Sequence, residues 1–125
     1  MGILRFVRDL VTGRMNRPLS EWFVVEFDAE SVHLKAEPPG QKPWSQEFRW
    51  SEIERICFQA EDLTTSDGIY VFTSSRPESY VVPTEASGGQ QFWAEVISRG
   101  LFDAEIAIEA AGAPSGQFWW PSPPG

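Results

Sequence analysis

The residues of this 125-residue chain with the clearest potential for covalent chemistry are its single cysteine, Cys57, and its single histidine, His33. An imidazole beside a thiol can remove the thiol proton and leave a nucleophilic thiolate. Cys57 lies in an apolar run, however, and His33 lies on the polar side of a different alternating run. Free cysteines are commonly buried as small apolar side chains. We therefore predict that both residues are structural and that the protein is not an enzyme.

Metal and cofactor chemistry has little support in the residue types. A zinc site takes three or four ligands, mostly cysteine and histidine, and the chain has one of each. The neighbouring carboxylates Glu61 and Asp62 could act as an acid and a base or bind calcium, but their spacing matches no calcium loop. The glycines at 88 and 89 lack the lysine of a phosphate-binding loop. We expect no metal and no cofactor.

The charge of the chain disfavours nucleic acid as a partner. The net charge of −8 divides into +3 on residues 1–17 and −11 on residues 18–125. Nucleic-acid affinity comes largely from lysine and arginine side chains that displace counterions from phosphates. An acidic body repels phosphates and speeds encounter with a basic protein.

Length and composition predict one soluble globular domain in the cytoplasm. A chain of this length can fold without disulfides, and no apolar run approaches the roughly 18 residues of a membrane span. A lone cysteine suits a reducing compartment, and Arg8 and Asp9 interrupt the apolar run that a signal peptide would need.

Residues 1–17 are predicted to form an amphipathic helix and a linker. Apolar side chains recur at spacings of three and four, with charged side chains mostly opposite; the apolar set is Ile3, Phe6, Val7, Leu10 and Val11. Three roles remain open. The apolar stripe could pack on the rest of the domain, Arg5 and Arg8 could face an anionic membrane, or the helix could bind a partner protein.

Six segments alternate with the period of a β-strand. They cover residues 21–27, 31–37, 45–50, 54–61, 69–74 and 80–83. Turn residues such as "DAES" at 28–31 predict hairpins between successive strands, and the prolines of "PPGQKP" predict a loop at 38–43.

Two helices are predicted after the last strand. Ser87 and Gln90 match a capping box, and Gly100 matches a helix C-terminus, which predicts a helix over residues 88–99. In residues 101–111, Asp103 as an N-cap and the alanine and glutamate content favour a second short helix, although "EIAIEA" also alternates like a strand.

The tail, residues 113–125, combines proline, glycine and serine with three aromatic side chains. Phe118, Trp119 and Trp120 could fold back over the domain or stay exposed as an anchor, since tryptophan is enriched at interface hot spots. Together with Arg5 and Arg8, they are the candidate partner-binding residues.

The order of these elements resembles the bacterial pleckstrin-homology-like (PH-like) domains. In that family a strand ends in I/F-x-W, a polar turn and a strand beginning x-x-I follow, a later strand ends in I/V-P, and one amphipathic helix closes the barrel. The matching segments here are "FRW" at 48–50, "SEI" at 51–53, "ERI" at 54–56, "VVP" at 81–83 and the helix at 88–99. The resemblance spans about residues 20–100.

The resemblance implies an α+β, mainly β fold over residues 18–112: a small antiparallel barrel or strongly bent sheet capped by a C-terminal helix. Trp50 and Ile53 would then be buried at a corner, with Ser51 capping the turn. Such scaffolds bind lipids, peptides or proteins and are rarely enzymes, and a shared fold does not specify the ligand.

We therefore expect a non-enzymatic module that binds another protein, a basic one by charge, as an adaptor, inhibitor or immunity protein. The alternative is a peripheral membrane or lipid-binding domain anchored by the N-terminal helix. Homodimerisation through an exposed edge strand is a third arrangement.

Overall fold

The computed structural model of the protein describes residues 18–61 and 66–122. The predicted N-terminal helix, with Arg5 and Arg8, lies outside the described residues. In chain order the elements are β1 (Phe23–Phe27), β2 (Ser31–Ala36), β3 (Trp44–Arg49), β4 (Ile53–Ala60), β5 (Gly68–Thr73), β6 (Arg76–Pro83), α1 (Gly89–Ser98), α2 (Ala104–Ala111) and β7 (Gly116–Trp120). Short 3-10 turns precede β1 (Leu19–Glu21) and join β3 to β4 (Trp50–Glu52).

The strands form two antiparallel sheets. Sheet 1 has the order β1-β2-β3, and sheet 2 has the order β6-β5-β4-β7. The α+β, mainly β class predicted from the sequence is confirmed. The described strands do not close into a single barrel, because β3 and β4 pair within different sheets after the chain turns at Trp50–Glu52.

The first hairpin forms where the turn residues predict it. Asp28 Oδ1 accepts hydrogen bonds from the backbone N–H groups of Glu30 at 2.9 Å and Ser31 at 2.8 Å. These bonds stabilise the carboxylate and hold the pKa of Asp28 below its usual value. The turn sets the register in which Phe27 lies opposite Val32, and both side chains then face the core cluster.

The outer face of sheet 1 is polar. Lys35 Nζ lies 3.1 Å from a carboxylate oxygen of Glu26, and His33 Nδ1 lies 3.5 Å from one of Glu47. Exposed pairs of this kind contribute little to stability, typically below about 1 kcal/mol. This face is therefore the solvated side of an antiparallel sheet with one wet face.

The core lies between the inner faces of the two sheets and α1. Its fully buried side chains include Phe23, Phe48, Ile56, Ile69, Val71, Phe92 and Val96. Aromatic rings link the layers: Phe48 lies 4.7 Å from Tyr80 and 6.4 Å from Phe92 between ring centroids. Burial of one such side chain contributes about 1.5–3 kcal/mol, so the predicted helix over 88–99 is held by packing of its apolar stripe.

The N-terminus of α1 differs from the sequence prediction. The capping box of Ser87 and Gln90 does not form: the N-cap residue is Gly88, with a left-handed backbone (φ +83°) and no side-chain cap. Ser87 is occupied elsewhere, since its backbone bonds to β1 through Val25 N–H at 2.8 Å and Phe23 C=O at 2.9 Å. These bonds cover part of the free edge of β1.

The second helix confirms the interpretation of Asp103 as an N-cap. Its Oδ2 accepts a hydrogen bond from the backbone N–H of Ile106 at 3.0 Å, and the helix ends at Gly112. This bond satisfies one of the free N–H groups of the first turn. The alternation in "EIAIEA" therefore belongs to a helix whose Ala107 and Ala110 are buried.

A seventh strand was not predicted from the sequence. Within the tail, β7 pairs antiparallel with β4, with Cys57 opposite Trp119 and Ile56 opposite Trp120. The tail thus supplies the edge strand of sheet 2. At its end, Arg55 donates to the backbone carbonyl of Pro121 at 3.1 Å.

Candidate functional site

The outer face of sheet 2 carries several apolar side chains, unlike that of sheet 1. Strand side chains alternate between faces, so the neighbours of the inward-facing Ile56 and Val71 point outward. Register places these outward side chains beside one another across all four strands. We call the apolar members of this set the aromatic face; they are Cys57, Tyr70, Phe72, Val81 and Trp119. The polar side chains of Arg55, Gln59 and Gln117 lie on the same side of the sheet.

Two rings of the aromatic face meet above β4. Phe72 on β5 and Trp119 on β7 lie on either side of that strand, and their rings stack with centroids 5.6 Å apart and planes at 29°. In the register Cys57 lies between Tyr70 and Trp119, whereas Phe72 lies opposite Arg55; Cys57 is 3% exposed. Offset stacking of this kind contributes about 0.5–1.5 kcal/mol beyond the buried area.

A row of contacts continues the face towards β6. Tyr70 lies opposite Val81, which is 2% exposed, and the Tyr70 ring leans over Gly68. A Cβ at Gly68 would lie 3.0 Å from a ring carbon of Tyr70, so the glycine leaves room for the ring. The half-buried aromatic side chains Tyr70, Phe72 and Trp119 thus form the upper surface of this face.

The two described helices contact the inner side of sheet 2. Trp93 of α1 packs on Phe58, and the buried Ala107 and Ala110 of α2 belong to the same core cluster as Phe58. Phe58 faces the interior, opposite to the direction of Cys57 on the same strand. The contacts that α1 and α2 make around Phe58 therefore lie on the side of sheet 2 opposite to the aromatic face.

The structure does not bring Cys57 and His33 together as a catalytic pair. Cys57 is buried in β4 of sheet 2, and His33 lies in β2 of sheet 1 beside Glu47. Burial raises the pKa of the Cys57 thiol to about 11, although a hydrogen bond with the backbone of Phe118 opposes the shift. Because the thiolate is the nucleophile, the thiol is inactive near neutral pH.

Native Cys57 is expected to react with an aromatic disulfide reagent at pH 8 at least about 100-fold more slowly than in the urea-unfolded chain. The raised pKa also means that the folded protein holds the thiol proton more tightly than the unfolded chain does. The free energy of unfolding should then fall as pH rises from about 9 towards 11. Cys57→Ala should lack this component; an equal pH slope in wild type and variant would contradict the assignment.

A surface cleft of about 460 Å³ lies at the junction between the sheets. It is lined by Ala29, Glu30, Arg49, Trp50, Ser51, Arg99 and Leu101. Arg99 lies over Trp50, with its guanidinium carbon 4.1 Å from the ring centroid, and donates a hydrogen bond to Glu95 Oε2 at 2.8 Å. A third bond joins it to the carbonyl of Ala29 at 3.3 Å.

Two groups of this cleft, Arg99 and Trp50, have hydrogen-bond partners within the protein. Arg99 has a carboxylate, a carbonyl and an aromatic face as partners, and Trp50 donates its indole N–H to the carbonyl of Asp28 at 2.9 Å. Trp50 is 6% exposed, as predicted for the corner. Ser51 does not cap the turn; instead Glu52 Oε1 accepts the N–H of Arg49 at 3.0 Å. These contacts stabilise the turn between the two sheets.

The candidate residues of the tail separate onto two sides of β7. Trp119 belongs to the aromatic face, whereas Phe118 and Trp120 are half-buried against the core cluster. Tyr70 and Phe72 were missed as site residues. The continuous apolar run Ile69–Phe72 carries the signal, because a strand with apolar side chains on both faces has two faces to cover.

No protein-family model matches this chain, and comparison with curated proteins and with solved structures found no significant match. Among residues 18–61 and 66–122, no group of three or more histidine, cysteine or acidic side chains is arranged to hold a metal ion. Within the same ranges, no helix has the length and apolar character required to cross a membrane.

Proposed function

We propose that the protein is a non-enzymatic interaction module whose partner protein binds at the aromatic face. The observation that carries this proposal is the contrast between the two sheets. Sheet 1 turns charged side chains outward, whereas sheet 2 turns the stacked rings of Phe72 and Trp119 outward, and both rings are half-buried. Contiguous apolar surface on a small protein commonly marks an interaction site, and aromatic residues are enriched in interfaces.

The proposed scaffold is a PH-like domain. Support comes from three features: two successive three-strand meanders, a buried tryptophan at the turn between them, and an amphipathic helix after the sixth strand. On this proposal, α2 and β7 are additions to the scaffold. The added strand supplies Trp119, one of the two stacked rings of the aromatic face.

The proposed partner is basic, and the encounter takes place in the cytoplasm. Residues 18–125 carry a net charge of −11, which favours approach of a positively charged surface and opposes that of nucleic acid. At the margin of the aromatic face, Gln59 donates to Glu61 Oε2 at 2.7 Å, so a carboxylate lies beside the apolar surface. An apolar centre with a charged rim is the usual composition of a protein interface. An adaptor, an inhibitor or an immunity protein would each use such a surface.

Replacement of the two stacked rings is expected to abolish capture of the partner. The wild-type chain and Phe72→Gln/Trp119→Gln are used to retain proteins from the lysate of the source organism at low and moderate salt. A retained basic protein is identified by mass spectrometry, purified and titrated directly. Loss of two central aromatic side chains should weaken binding by at least about 30-fold, equivalent to about 2 kcal/mol, and moderate salt should weaken wild-type binding.

The matched control is Ile108→Ser, which removes an apolar side chain that is 74% exposed on α2. It should bind like wild type, because Ile108 lies outside the aromatic face. Equal affinity of the double variant and wild type would refute the assignment of the face. Failure to retain any protein at either salt would refute the basic-partner proposal.

A further inference from the structure

The cleft at the junction between the sheets brings together two of the few basic side chains in an acidic part of the chain. Residues 18–125 contain six lysine and arginine side chains against seventeen carboxylates. Arg49 and Arg99 both line the cleft, whose volume of about 460 Å³ lies within the range of small-molecule sites. Glu30 also belongs to the lining, so these three side chains together carry +1. The cleft therefore favours an anion in otherwise negative surroundings.

Arg49 is the cation of this cleft that lacks a partner. Within residues 18–61 and 66–122, its guanidinium makes no hydrogen bond and no ion pair. Its backbone N–H is bound by Glu52 Oε1 at 3.0 Å, and its side chain is exposed. By contrast, Arg55 and Arg76 donate to backbone carbonyls. Two cations that line one cleft repel each other, and an anion bound between them would relieve that repulsion.

Arg99 is the cation whose position is fixed by the protein. Its Nε donates to Glu95 Oε2 at 2.8 Å, its Nη2 donates to the carbonyl of Ala29 at 3.3 Å, and its guanidinium carbon lies 4.1 Å from the ring centroid of Trp50. A guanidinium has five N–H donors, so these two bonds do not exhaust its capacity. Because the group is already held, binding an anion requires little further ordering of this side chain.

The other lining residues indicate which anion fits. A guanidinium matches the geometry of both carboxylate and phosphate. The negative charge of Glu30 opposes a phosphate dianion more strongly than a singly charged carboxylate. The Ser51 hydroxyl can donate to a carboxylate oxygen. Ala29 and the half-buried Leu101 offer apolar contact to a short hydrocarbon chain.

We propose that this cleft binds a small organic carboxylate with a short apolar part. Arg49 closes on the carboxylate, and Arg99 provides the preorganised second cation. The lining comes from three segments: the turn between β1 and β2, the turn between β3 and β4, and the chain around the end of α1. The site uses neither Phe72 nor Trp119, so it stands or falls independently of a partner protein at the aromatic face.

Titration of two matched probes into the isotope-labelled full-length chain, followed by nuclear magnetic resonance, tests the proposal. Isovalerate is a branched carboxylate, and isovaleramide has nearly the same shape without the charge. Isovalerate should produce saturable shifts at the backbone amides of Glu30, Ser51 and Leu101. Isovaleramide should bind at least about tenfold more weakly, because it lacks the charge-assisted hydrogen bonds. Inorganic phosphate at the same ionic strength should also bind more weakly than isovalerate.

Two variants with the same change in charge separate the site from the net charge. Arg49→Gln should weaken isovalerate binding at least about tenfold. The remaining amide resonances should stay close to those of wild type, because the guanidinium has no described contact to lose. Lys42→Gln is the matched control, since Lys42 is exposed in a loop and does not line the cleft. It should bind isovalerate like wild type. Glu30→Gln should improve binding of phosphate relative to isovalerate.

Four results would overturn the proposal. The first is the absence of saturable shifts at about 50 mM isovalerate, where even an inefficient ligand of this size would be partly bound. The second is equal affinity for isovaleramide, which would make the binding purely apolar. The third is tighter binding of inorganic phosphate, which would assign the cleft to phosphate groups. The fourth is an equal loss of affinity in Lys42→Gln and Arg49→Gln, which would leave only an effect of net charge.

Discussion

Gly88→Ala is expected to lower the free energy of unfolding by more than about 3 kcal/mol, although it adds one methyl group. The backbone at Gly88 has φ +83°, a region that costs a residue with a side chain about 1–2 kcal/mol. The added Cβ would also lie 2.2 Å from the carbonyl oxygen of Val25, far inside van der Waals contact. The added Cβ and the carbonyl oxygen of Val25 cannot move aside as the end of a flexible side chain could. β1 and the start of α1 would therefore have to separate.

Gly100→Ala provides the matched control for this prediction. Gly100 has a similar φ of +74°, but no atom lies within 4 Å of its added Cβ. Its substitution should therefore cost only the backbone strain, about 1–2 kcal/mol. Urea unfolding followed by circular dichroism measures both variants. If Gly88→Ala and Gly100→Ala have the same midpoint, the close approach of Gly88 to β1 is not required for stability.

The close approach at Gly88 explains why the start of α1 was mispredicted. The sequence "SGGQ" contains Ser87 three residues before Gln90, which fits a capping box. In the fold, a different requirement prevails: the chain must pass against β1, and only a residue without a side chain fits. The adjacent Gly89 is equally constrained, since its Cβ would lie 2.6 Å from the carbonyl oxygens of Pro83 and Thr84. Local pattern could not reveal these long-range contacts.

Elements that are stabilised by short-range hydrogen bonds or marked by a regular apolar pattern were predictable from the sequence. The first hairpin follows from the turn chemistry of Asp28, and α2 follows from the cap at Asp103, because each depends on hydrogen bonds within four residues. The helix over 88–99 follows from its apolar stripe. The α+β class could be predicted from the order in which segments with strand period and segments with helix period follow one another along the chain.

The unpredicted parts depend on contacts between distant residues. β7 exists because Gly116–Trp120 pairs with β4, about sixty residues earlier in the chain, and five residues rich in aromatics between prolines do not reveal that register. The division of Phe118, Trp119 and Trp120 onto two faces follows from the same pairing. The sequence therefore identified Trp119 as a candidate but could not place Phe72 beside it.

Trp50→Ala is expected to lower the free energy of unfolding by about 3–5 kcal/mol, the usual cost of deleting a buried tryptophan side chain. The ring stacks on Phe92 of α1 with centroids 5.6 Å apart and meets the edge of Phe27 at the end of β1 at the same distance. Its indole N–H donates to the carbonyl of Asp28 at 2.9 Å, and Arg99 covers its other surface. One side chain thus joins the first hairpin, the turn between the sheets and α1.

Trp50→Phe separates the hydrogen bond from the packing. It keeps most of the apolar ring but leaves the carbonyl of Asp28 without its donor, which should cost about 1–3 kcal/mol. Arg99→Gln tests the remaining contact and should cost less, about 0.5–1 kcal/mol, because the guanidinium is partly exposed. Thermal and urea unfolding of the three variants give the order. If Trp50→Ala lowered the free energy of unfolding no more than Arg99→Gln does, packing of Trp50 would not be what holds sheet 1 against α1. Other contacts would then have to fix the orientation of sheet 2 and its aromatic face.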